Sequence, residues 1–336
     1  MGNHHVRGGT HVYGWREALQ EYWEIKNQAC FDEKRLRELR KLIHPEGAVN
    51  QEMEAGRLLR IQESCDRRNV KPIKQECRVR ILQARLGEEE AEVLLSVHER
   101  QAVRDRKMQM HLEEEQRFHR VRLKQARSRW RVVEDVWLTH ADEWDTRNDG
   151  QSGTLEGVSQ DIRSLFQRGG RYRRDLAVRY AESWWNGHNP QYRAFDVDCT
   201  NYVSQCLRAG GAPMTHVGQR GKGWWYQGNG GTKDNWSYSW AVAHSLRWYL
   251  ATSKSGLHAL EKSAASQLEL GDVICYDFDG DGRWQHNAIV TAFDHRGEPL
   301  VNAHTNNVRH KFWDYRHSYA WTEQIQYKFF HIVDQF

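Results

Sequence analysis

The first part of the chain carries apolar residues at the spacing of amphipathic helices. Residues three or four positions apart share one face of an α-helix, so residues 13 to about 70 are predicted to form two or three such helices. The apolar positions are Trp15, Ala18, Leu19 and Tyr22, followed by Leu36, Leu39, Leu42 and Ile43. The segment Pro45-Glu46-Gly47 is expected to interrupt them, because proline and glycine both break helices.

From Cys77 onward, apolar residues alternate with charged ones. These positions are Val79 and Ile81, then Val93, Leu95 and Val97, then Phe118, Val121 and Leu123, and finally Trp130, Val132, Val133 and Trp137. A period of two with many charges favours long antiparallel strands with one solvated face. A helical interpretation of residues 87–128 competes with it, because Glu, Gln and Arg are frequent there. The stretch from Arg117 to Trp137 resembles the end of a cone-shaped α+β domain of the nuclear-transport-factor type.

The length of 336 residues suffices for two domains, since one hydrophobic core usually serves about 100–200 residues. Residues 147–171 are mostly polar and carry glycine near both ends, so they are predicted to be a linker. Residues 1–146 are then an α+β accessory domain with helices and an antiparallel sheet. No catalytic set of residues occurs in it, which favours a structural or docking role. Residues 172–336 form the second domain.

Composition and charge narrow the functional classes. Hydrophobic residues make up 39% and charged residues 28% of the chain, as in soluble globular proteins. The net charge is only +4, and no Lys/Arg stripe is interleaved with aromatic residues, so nucleic acid is not an expected partner. Neither a signal peptide nor a membrane span is predicted, because apolar runs of the required length are absent. A cytoplasmic protein with reduced cysteines is expected, with unconventional export to the cell wall or spore left open.

A cysteine stands at the predicted start of a helix in the second domain. Asp198 is a favourable N-cap residue, and Gly210-Gly211 is expected to end the helix. The apolar face of this helix consists of Tyr202, Val203, Cys206 and Leu207. Cys199 lies off that face, where the helix dipole and unpaired N–H groups favour the thiolate, the nucleophilic form of cysteine. The structural alternative for Cys199 is a small buried residue.

A histidine opens a predicted strand further along the chain. Residues 271–284 are predicted to form a strand and a tight acidic turn, after which His286 begins the next strand. The strand over 299–305 carries Asn302 and His304 on one face, because side chains alternate along a strand. Antiparallel pairing can bring either residue beside His286, and a catalytic base needs such an acceptor to fix its tautomer. A single histidine on a strand is by itself more often structural.

The acidic turn, Asp277 to Gly282, is similar to the start of a calcium-binding loop. A calcium loop needs a bidentate glutamate at its twelfth position, where this chain has Ala288. The interpretation is therefore an acidic β-turn. The histidine of the following strand also lacks the HExxH partner of a zinc hydrolase. The sequence predicts neither a metal nor a cofactor.

A helix that starts with a cysteine, then a strand that starts with a histidine, then a strand with Asn302 and His304 follow one another along the chain. This order is a more specific sign of catalysis than any one of these elements alone. The stretches that carry it are Asp198-Cys199-Thr200-Asn201-Tyr202-Val203-Ser204-Gln205, Gly223-Trp224-Trp225-Tyr226, Trp236-Ser237-Tyr238-Ser239-Trp240, His286-Asn287-Ala288-Ile289-Val290-Thr291 and Asn302-Ala303-His304-Thr305. With these motifs the C-terminal half resembles the bacterial putative amidase family of the papain-like clan. It is similar more distantly to NlpC-type and CHAP-type cell-wall peptidases.

The resemblance implies a papain-like α+β fold, with a helix on an antiparallel sheet, and hydrolysis of amide bonds by the pair Cys199 and His286. The third catalytic member is then Asn302 or His304. Expected substrates are peptides or amides, including peptidoglycan-derived ones. The expected substrate-binding residues are Asp198, Tyr192, Trp224, Trp225 and Trp240. The alternative for the tryptophans is a Trp-rich core, and the alternative for the whole domain is a non-catalytic binding or scaffold module on a papain-like core.

Overall fold

The protein is described from a computed structural model, covering residues 14–29, 33–127, 129–138 and 170–336. The N-terminal half consists of three helices followed by four strands. The helices are α1 (Trp15–Ala29), α2 (Glu33–Leu42) and α3 (Ala48–Arg68), and a 3₁₀ turn (Pro45–Gly47) separates the last two. The strands are β1 (Val70–Leu86), β2 (Glu90–Asp105), β3 (Met110–Ala126) and β4 (Arg129–Leu138).

The predicted helices and the break at Pro45 are confirmed, and the helical interpretation of residues 87–128 is wrong. This stretch forms β2 and β3, which pair in unbroken register from Glu90 opposite Lys124 to Arg104 opposite Met110. Burial alternates along much of β2, as it does when one face of a sheet is covered. Cross-strand pairing and burial of the apolar face outweigh the helix propensity of the Glu, Gln and Arg residues between them.

The C-terminal half packs helices against the continuation of the same sheet. Its helices are α4 (Arg174–Trp184), α5 (Cys199–Ala209), α6 (Tyr238–Ala241) and α7 (Ala243–Thr252). Its first strands are β5 (Tyr226–Gln227), β6 (Asn235–Trp236), β7 (Ala259–Lys262) and β8 (Val273–Asp277). The remaining strands are β9 (His286–Phe293), β10 (Pro299–Ala303), β11 (Asn307–Phe312) and β12 (Gln326–Ile332). The predicted α+β class is thereby confirmed.

One large sheet runs through both halves in the order β1-β2-β3-β11-β10-β9-β8-β12-β7. Strand β3 pairs with β4 near its end and with β11 near its start, where Val308 lies opposite Glu115. Arg309 adds ion pairs to Glu114 of β3, at 2.8 Å, and to Glu182 of α4, at 2.6 Å. The two predicted domains are therefore joined by backbone pairing. The predicted linker lies outside the described residues except for residues 170 and 171.

Helix α5 lies on one face of the central strands. Ten of its eleven residues are buried, including the four that form its predicted apolar face. They pack with Val273, Cys275 and Ile289, whereas Tyr276 and Ala288 belong to a second core on the opposite face of the sheet. The sheet thus separates two cores, and the start of β9 lies beside the start of α5. Within the described residues, no helix is both long enough and apolar enough to cross a membrane.

Candidate active site

Cys199 is the first residue of α5, as predicted, and Gly210 occupies the C-cap position. Asp198 stands at the N-cap position, but its side chain makes no capping hydrogen bond there. Its carboxylate is engaged elsewhere, with Oδ1 accepting hydrogen bonds from the Asn201 side chain at 2.8 Å and from the Phe195 backbone at 3.2 Å. Cys199 itself is only 1% exposed. The helix thus begins where it was predicted to begin, but Asp198 does not cap it through its side chain.

The thiol of Cys199 lies against the first residues of β9. Its Sγ atom is 3.7 Å from Thr200 Oγ1 and 4.0 Å from the Gln285 carbonyl oxygen. Burial raises the pKa of Cys199, although hydrogen bonds from the Asn287 backbone and the Thr200 hydroxyl act in the opposite direction. The prediction that the helix start favours a thiolate is therefore corrected. Desolvation of the charged form outweighs these hydrogen bonds, so the pKa lies above its ordinary value and the thiol is protonated at neutral pH.

His286 occupies a pocket of aromatic rings. Its Nε2 atom is 2.8 Å from the Tyr315 hydroxyl, and its ring centroid lies 4.9 to 6.0 Å from those of Tyr276, Phe278 and Tyr315. Burial lowers the pKa of His286 to about 3, because the aromatic surroundings do not solvate the imidazolium. The imidazole is therefore neutral. Among the residues described, the structure has no hydrogen bond between this ring and the Cys199 sulfur, although residues 285 and 287 both contact that sulfur.

Tyr315 is a site residue that the sequence did not reveal. Burial raises the pKa of its phenol well above the ordinary value, and the negative charge of a Cys199 thiolate would raise it further. The hydroxyl is thus protonated, and it occupies the position beside His286 where an orienting group was expected. Tyr315 follows β11 in a loop and has a φ of 57°. No local pattern marks such a tyrosine, because its role depends on a contact 29 residues away.

Asn302 does not lie beside His286. It pairs with Ile289, three residues further along β9, so the register carries its side chain away from the start of that strand. Its Oδ1 atom accepts a hydrogen bond from the Thr291 hydroxyl at 2.8 Å, and its Nδ2 atom donates one to Glu182 at 3.0 Å. Asn302 therefore links Glu182 of α4 to Thr291 of β9 through its two hydrogen bonds.

His304 also bonds to groups other than His286. Its Nδ1 atom is 2.7 Å from Asp198 Oδ2 and its Nε2 atom is 2.6 Å from the Trp184 carbonyl oxygen, while the ring stacks on Tyr202 at 3.9 Å. Burial opposes ionisation of Asp198, but hydrogen bonds from the two histidines 188 and 304 outweigh it and hold the pKa of the carboxyl below its usual range. His304 is thus joined to the residue that precedes the cysteine.

The backbone next to His304 is strained. Thr305 has a φ of 81°, in a region that β-branched residues rarely occupy. Its hydroxyl accepts a hydrogen bond from the Asp198 backbone N–H at 3.2 Å. Such outliers persist only where the surrounding structure fixes them, and they concentrate at functional sites.

The three tryptophans expected to line a cleft have no exposed surface. Their indole N–H groups donate to interior acceptors: Trp224 to Ser204, Trp225 to the carbonyls of residues 219 and 222, and Trp240 to Asn201. The structure therefore places them in the Trp-rich core that was the alternative. Tyr192 stacks on Trp240 at 5.8 Å between ring centroids and is only partly buried.

The acidic segment forms the turn that was predicted. Asp277 accepts hydrogen bonds from the backbone N–H groups of Gly280 at 2.8 Å and Gly282 at 2.7 Å. Asp281 accepts one from the Arg283 N–H at 2.8 Å. These carboxylates are occupied by the turn itself.

The fold and this site define an α+β protein whose C-terminal half presents a buried helix-start cysteine beside a histidine-bearing strand. Residues 171–330 match the family model described as "Putative amidase domain". This match confirms the predicted family resemblance of the C-terminal half.

The chain is similar to two curated proteins of Bacillus subtilis (strain 168). It is 49% identical to "Uncharacterized protein YhbB" over 190 residues, which are 54% of this chain and 60% of YhbB. It is 32% identical to "Uncharacterized protein YjcM" over 124 residues, which are 34% of this chain and 27% of YjcM. Among solved structures, the intermembrane space region of the chloroplast protein ARC6 aligns with 39% of this chain and 98% of its own, at 12% identity and a TM-score of 0.28.

Proposed function

We propose that the C-terminal half is a cysteine amidase in which Cys199 is the nucleophile and His286 the general base. The observation that carries the proposal is the contact of the Cys199 sulfur with the backbone on both sides of His286. Nucleophilic amide hydrolysis needs a nucleophile and a base that can come within hydrogen-bond reach, and a helix-start cysteine beside a strand that opens with histidine supplies these two groups. The match of residues 171–330 to the putative amidase domain supports the same reaction class.

The reaction starts from two neutral groups rather than from a preformed ion pair. In the tautomer that this step uses, Nε2–H donates its hydrogen bond to the Tyr315 oxygen, so Nδ1 is unprotonated and is the ring nitrogen that receives the proton. As Sγ attacks the carbonyl carbon, the thiol proton passes to Nδ1 and the carbonyl π electrons move onto oxygen. The carbonyl then re-forms, the C–N bond breaks, and the imidazolium protonates the departing amine. A thioester remains on Cys199. Water attacks the thioester while His286 accepts one of its protons, and the acid and the free thiol are released.

Two features of this scheme need substrate to complete them. Sγ and Nδ1 must come within hydrogen-bond distance, and catalytic hydrogen bonds often tighten only when substrate is bound. The backbone N–H of Cys199 is a candidate donor to the oxyanion, because the first N–H groups of a helix have no partner within it. We assign Tyr315 the positioning role that the sequence analysis predicted for Asn302 or His304. Peptidoglycan-type peptides are the first substrates to test, because the distant resemblance is to cell-wall peptidases.

The proposal is tested by trapping the covalent intermediate. The full chain is mixed with peptide amides and muropeptides, quenched in acid and analysed by peptide mass spectrometry. An acyl adduct is expected on Cys199 and on neither Cys206 nor Cys275, because those two side chains belong to the hydrophobic core and Cys199 does not. Turnover that persists in Cys199→Ala would refute the proposal.

The second candidate is a non-catalytic binding module on the same core. It is favoured by the burial of Cys199 and the missing hydrogen bond to His286. Under this hypothesis, Cys199→Ala binds muropeptides as the unmodified chain does and neither protein hydrolyses them.

A further inference from the structure

Three potential metal ligands meet next to the candidate nucleophile. His188, Asp198 and His304 each offer one ligand atom, and these atoms all lie within 4.8 Å of one another. His188 follows α4, Asp198 directly precedes α5 and His304 directly follows β10. We propose that these three side chains bind one divalent transition-metal ion, with Zn²⁺ as the expected ion.

Two of the three separations between ligand atoms are close to those of a bound site. Zn²⁺ binds imidazole and carboxylate at about 2.0–2.1 Å, so two tetrahedral ligands lie about 3.3 Å apart. The distance between Asp198 Oδ2 and His188 Nδ1 is 3.5 Å, and the distance to His304 Nδ1 is 2.7 Å. A shift of about half an ångström between Asp198 and His304 admits the ion. His188 is 51% exposed and has room to adjust.

Hydrogen bonds with neighbouring groups orient His304 and Asp198 so that one ligand atom of each points toward the proposed ion. The Trp184 carbonyl oxygen accepts a hydrogen bond from His304 Nε2, so that nitrogen carries a proton, and Nδ1 faces the cluster. The ion would displace the proton through which Nδ1 bonds to Asp198. Metal-bound histidines usually donate their second N–H to such a carbonyl or to a carboxylate. Asn201 and the Phe195 backbone occupy Oδ1 of Asp198, which leaves Oδ2 toward the histidines.

The ligand set selects the class of ion. Two imidazoles and one carboxylate suit zinc, cobalt or ferrous iron, whereas magnesium and calcium prefer oxygen ligands alone. Three protein ligands leave at least one position for water. The sequence predicted no metal because these ligands follow no local spacing motif. The pairing of β10 with β9 and the packing of α5 bring them together.

The test is a Zn²⁺ titration of the full chain after treatment with a chelator. Calorimetry should give one ion per chain, and Co²⁺ in its place should produce visible d–d absorption bands. Because loss of an outer partner already weakens metal binding by about 10–100-fold, His188→Gln should weaken it by about 100-fold or more. His188 is half-exposed, so this variant should fold. The matched control is His216→Gln, an exposed histidine outside the cluster, which should bind as the unmodified chain does.

Other ligands in the chain require two further variants. Cys199→Ser must retain Zn²⁺ binding. The triple variant His4→Gln, His5→Gln and His11→Gln must retain it as well. Loss of binding in either variant would place the ion elsewhere and overturn the proposal. Absence of binding, or binding unchanged in both His188→Gln and Asp198→Asn, would also overturn it. Since the readout is metal binding and not turnover, the result stands apart from that of the amidase test.

Discussion

The two halves of the molecule each contain a buried polar cluster, and the two clusters are built in opposite ways. In the N-terminal half, Asp135 bonds to the Tyr22 hydroxyl at 2.8 Å, to the Lys26 ammonium at 2.6 Å and to His119 Nδ1 at 2.6 Å. In the described part of the C-terminal half, no hydrogen bond or ion pair joins Cys199, His286 or Tyr315 to a charged side chain.

The two clusters differ in whether a neighbouring charge opposes the effect of burial on the pKa values of their members. Burial disfavours the ionised form of Asp135, but Lys26 and His119 outweigh it and hold the pKa of that carboxyl far below its usual range. Asp135 likewise keeps the pKa of the Lys26 ammonium above its ordinary value, against burial. Burial alone acts on His286, and its pKa falls to about 3. Paired buried charges keep each other ionised and are costly to separate, whereas neutral groups remain able to exchange a proton during a reaction.

Removal of the nucleophile should have the largest effect. We expect Cys199→Ala to lower amide turnover by about 10⁴-fold or more, because the covalent step is lost. The melting temperature should change little, because Cys199 lies outside the hydrophobic core to which Cys206 belongs. Steady-state hydrolysis and thermal unfolding are the measurements, and Cys206→Ala should show the reverse pattern, with reduced stability and measurable turnover.

Breaking the charged cluster should act on stability instead. Lys26→Met leaves Asp135 and Glu54 buried without their ammonium partner, and such a loss typically costs about 3–5 kcal/mol of unfolding free energy. Chemical denaturation measures it. The exposed Lys41→Met is the control and should change the free energy by less than about 0.5 kcal/mol. Equal stability of the two variants would contradict a structural role for the cluster.

Acid should weaken the N-terminal cluster selectively. Burial raises the pKa of Glu54, but Arg57 and Lys26 outweigh it and lower the pKa from 4.5 to about 2. Its stabilising contribution is therefore complete above pH 4.5 and is lost as the pH falls toward 2, with about 2 kcal/mol gone by pH 3. Urea unfolding from pH 7 to 3 should show a shallower pH dependence in Glu54→Gln than in the exposed control Glu24→Gln. Identical slopes would argue against the depressed pKa.

Loss of the positioning hydroxyl should have the smallest effect. Tyr315→Phe leaves the His286 ring in place but removes its Nε2 partner, so we expect kcat to fall by about tenfold with KM unchanged. A purely structural role would lower stability without separating kcat from KM. Tyr327→Phe is the control, because its hydroxyl bonds to the Asp314 carbonyl and not to His286.

Much of the fold was predictable because it follows local periodicity. The apolar spacing around Leu19 and Tyr22 identified α1, and the alternation around Val93 and Leu95 correctly outweighed the helical composition of β2. The helix that begins at Cys199 followed from its apolar face and closing glycines. The register of β10 was not predictable, because nothing in residues 299–305 specifies that Asn302 pairs with Ile289 rather than with His286.

The sequence by itself determined the N-terminal helices and strands, the helix that begins at Cys199, the strand that begins at His286, and the family match of the C-terminal half. Only the tertiary structure decided that β3 pairs with β11, that Tyr315 holds His286 and that His304 bonds to Asp198. It also decided the charge states, since Cys199 is desolvated by packing that no short stretch of sequence encodes. The physical reason is that periodicity reports which face of an element is buried. Hydrogen-bond partners and pKa values depend instead on which distant element covers that face.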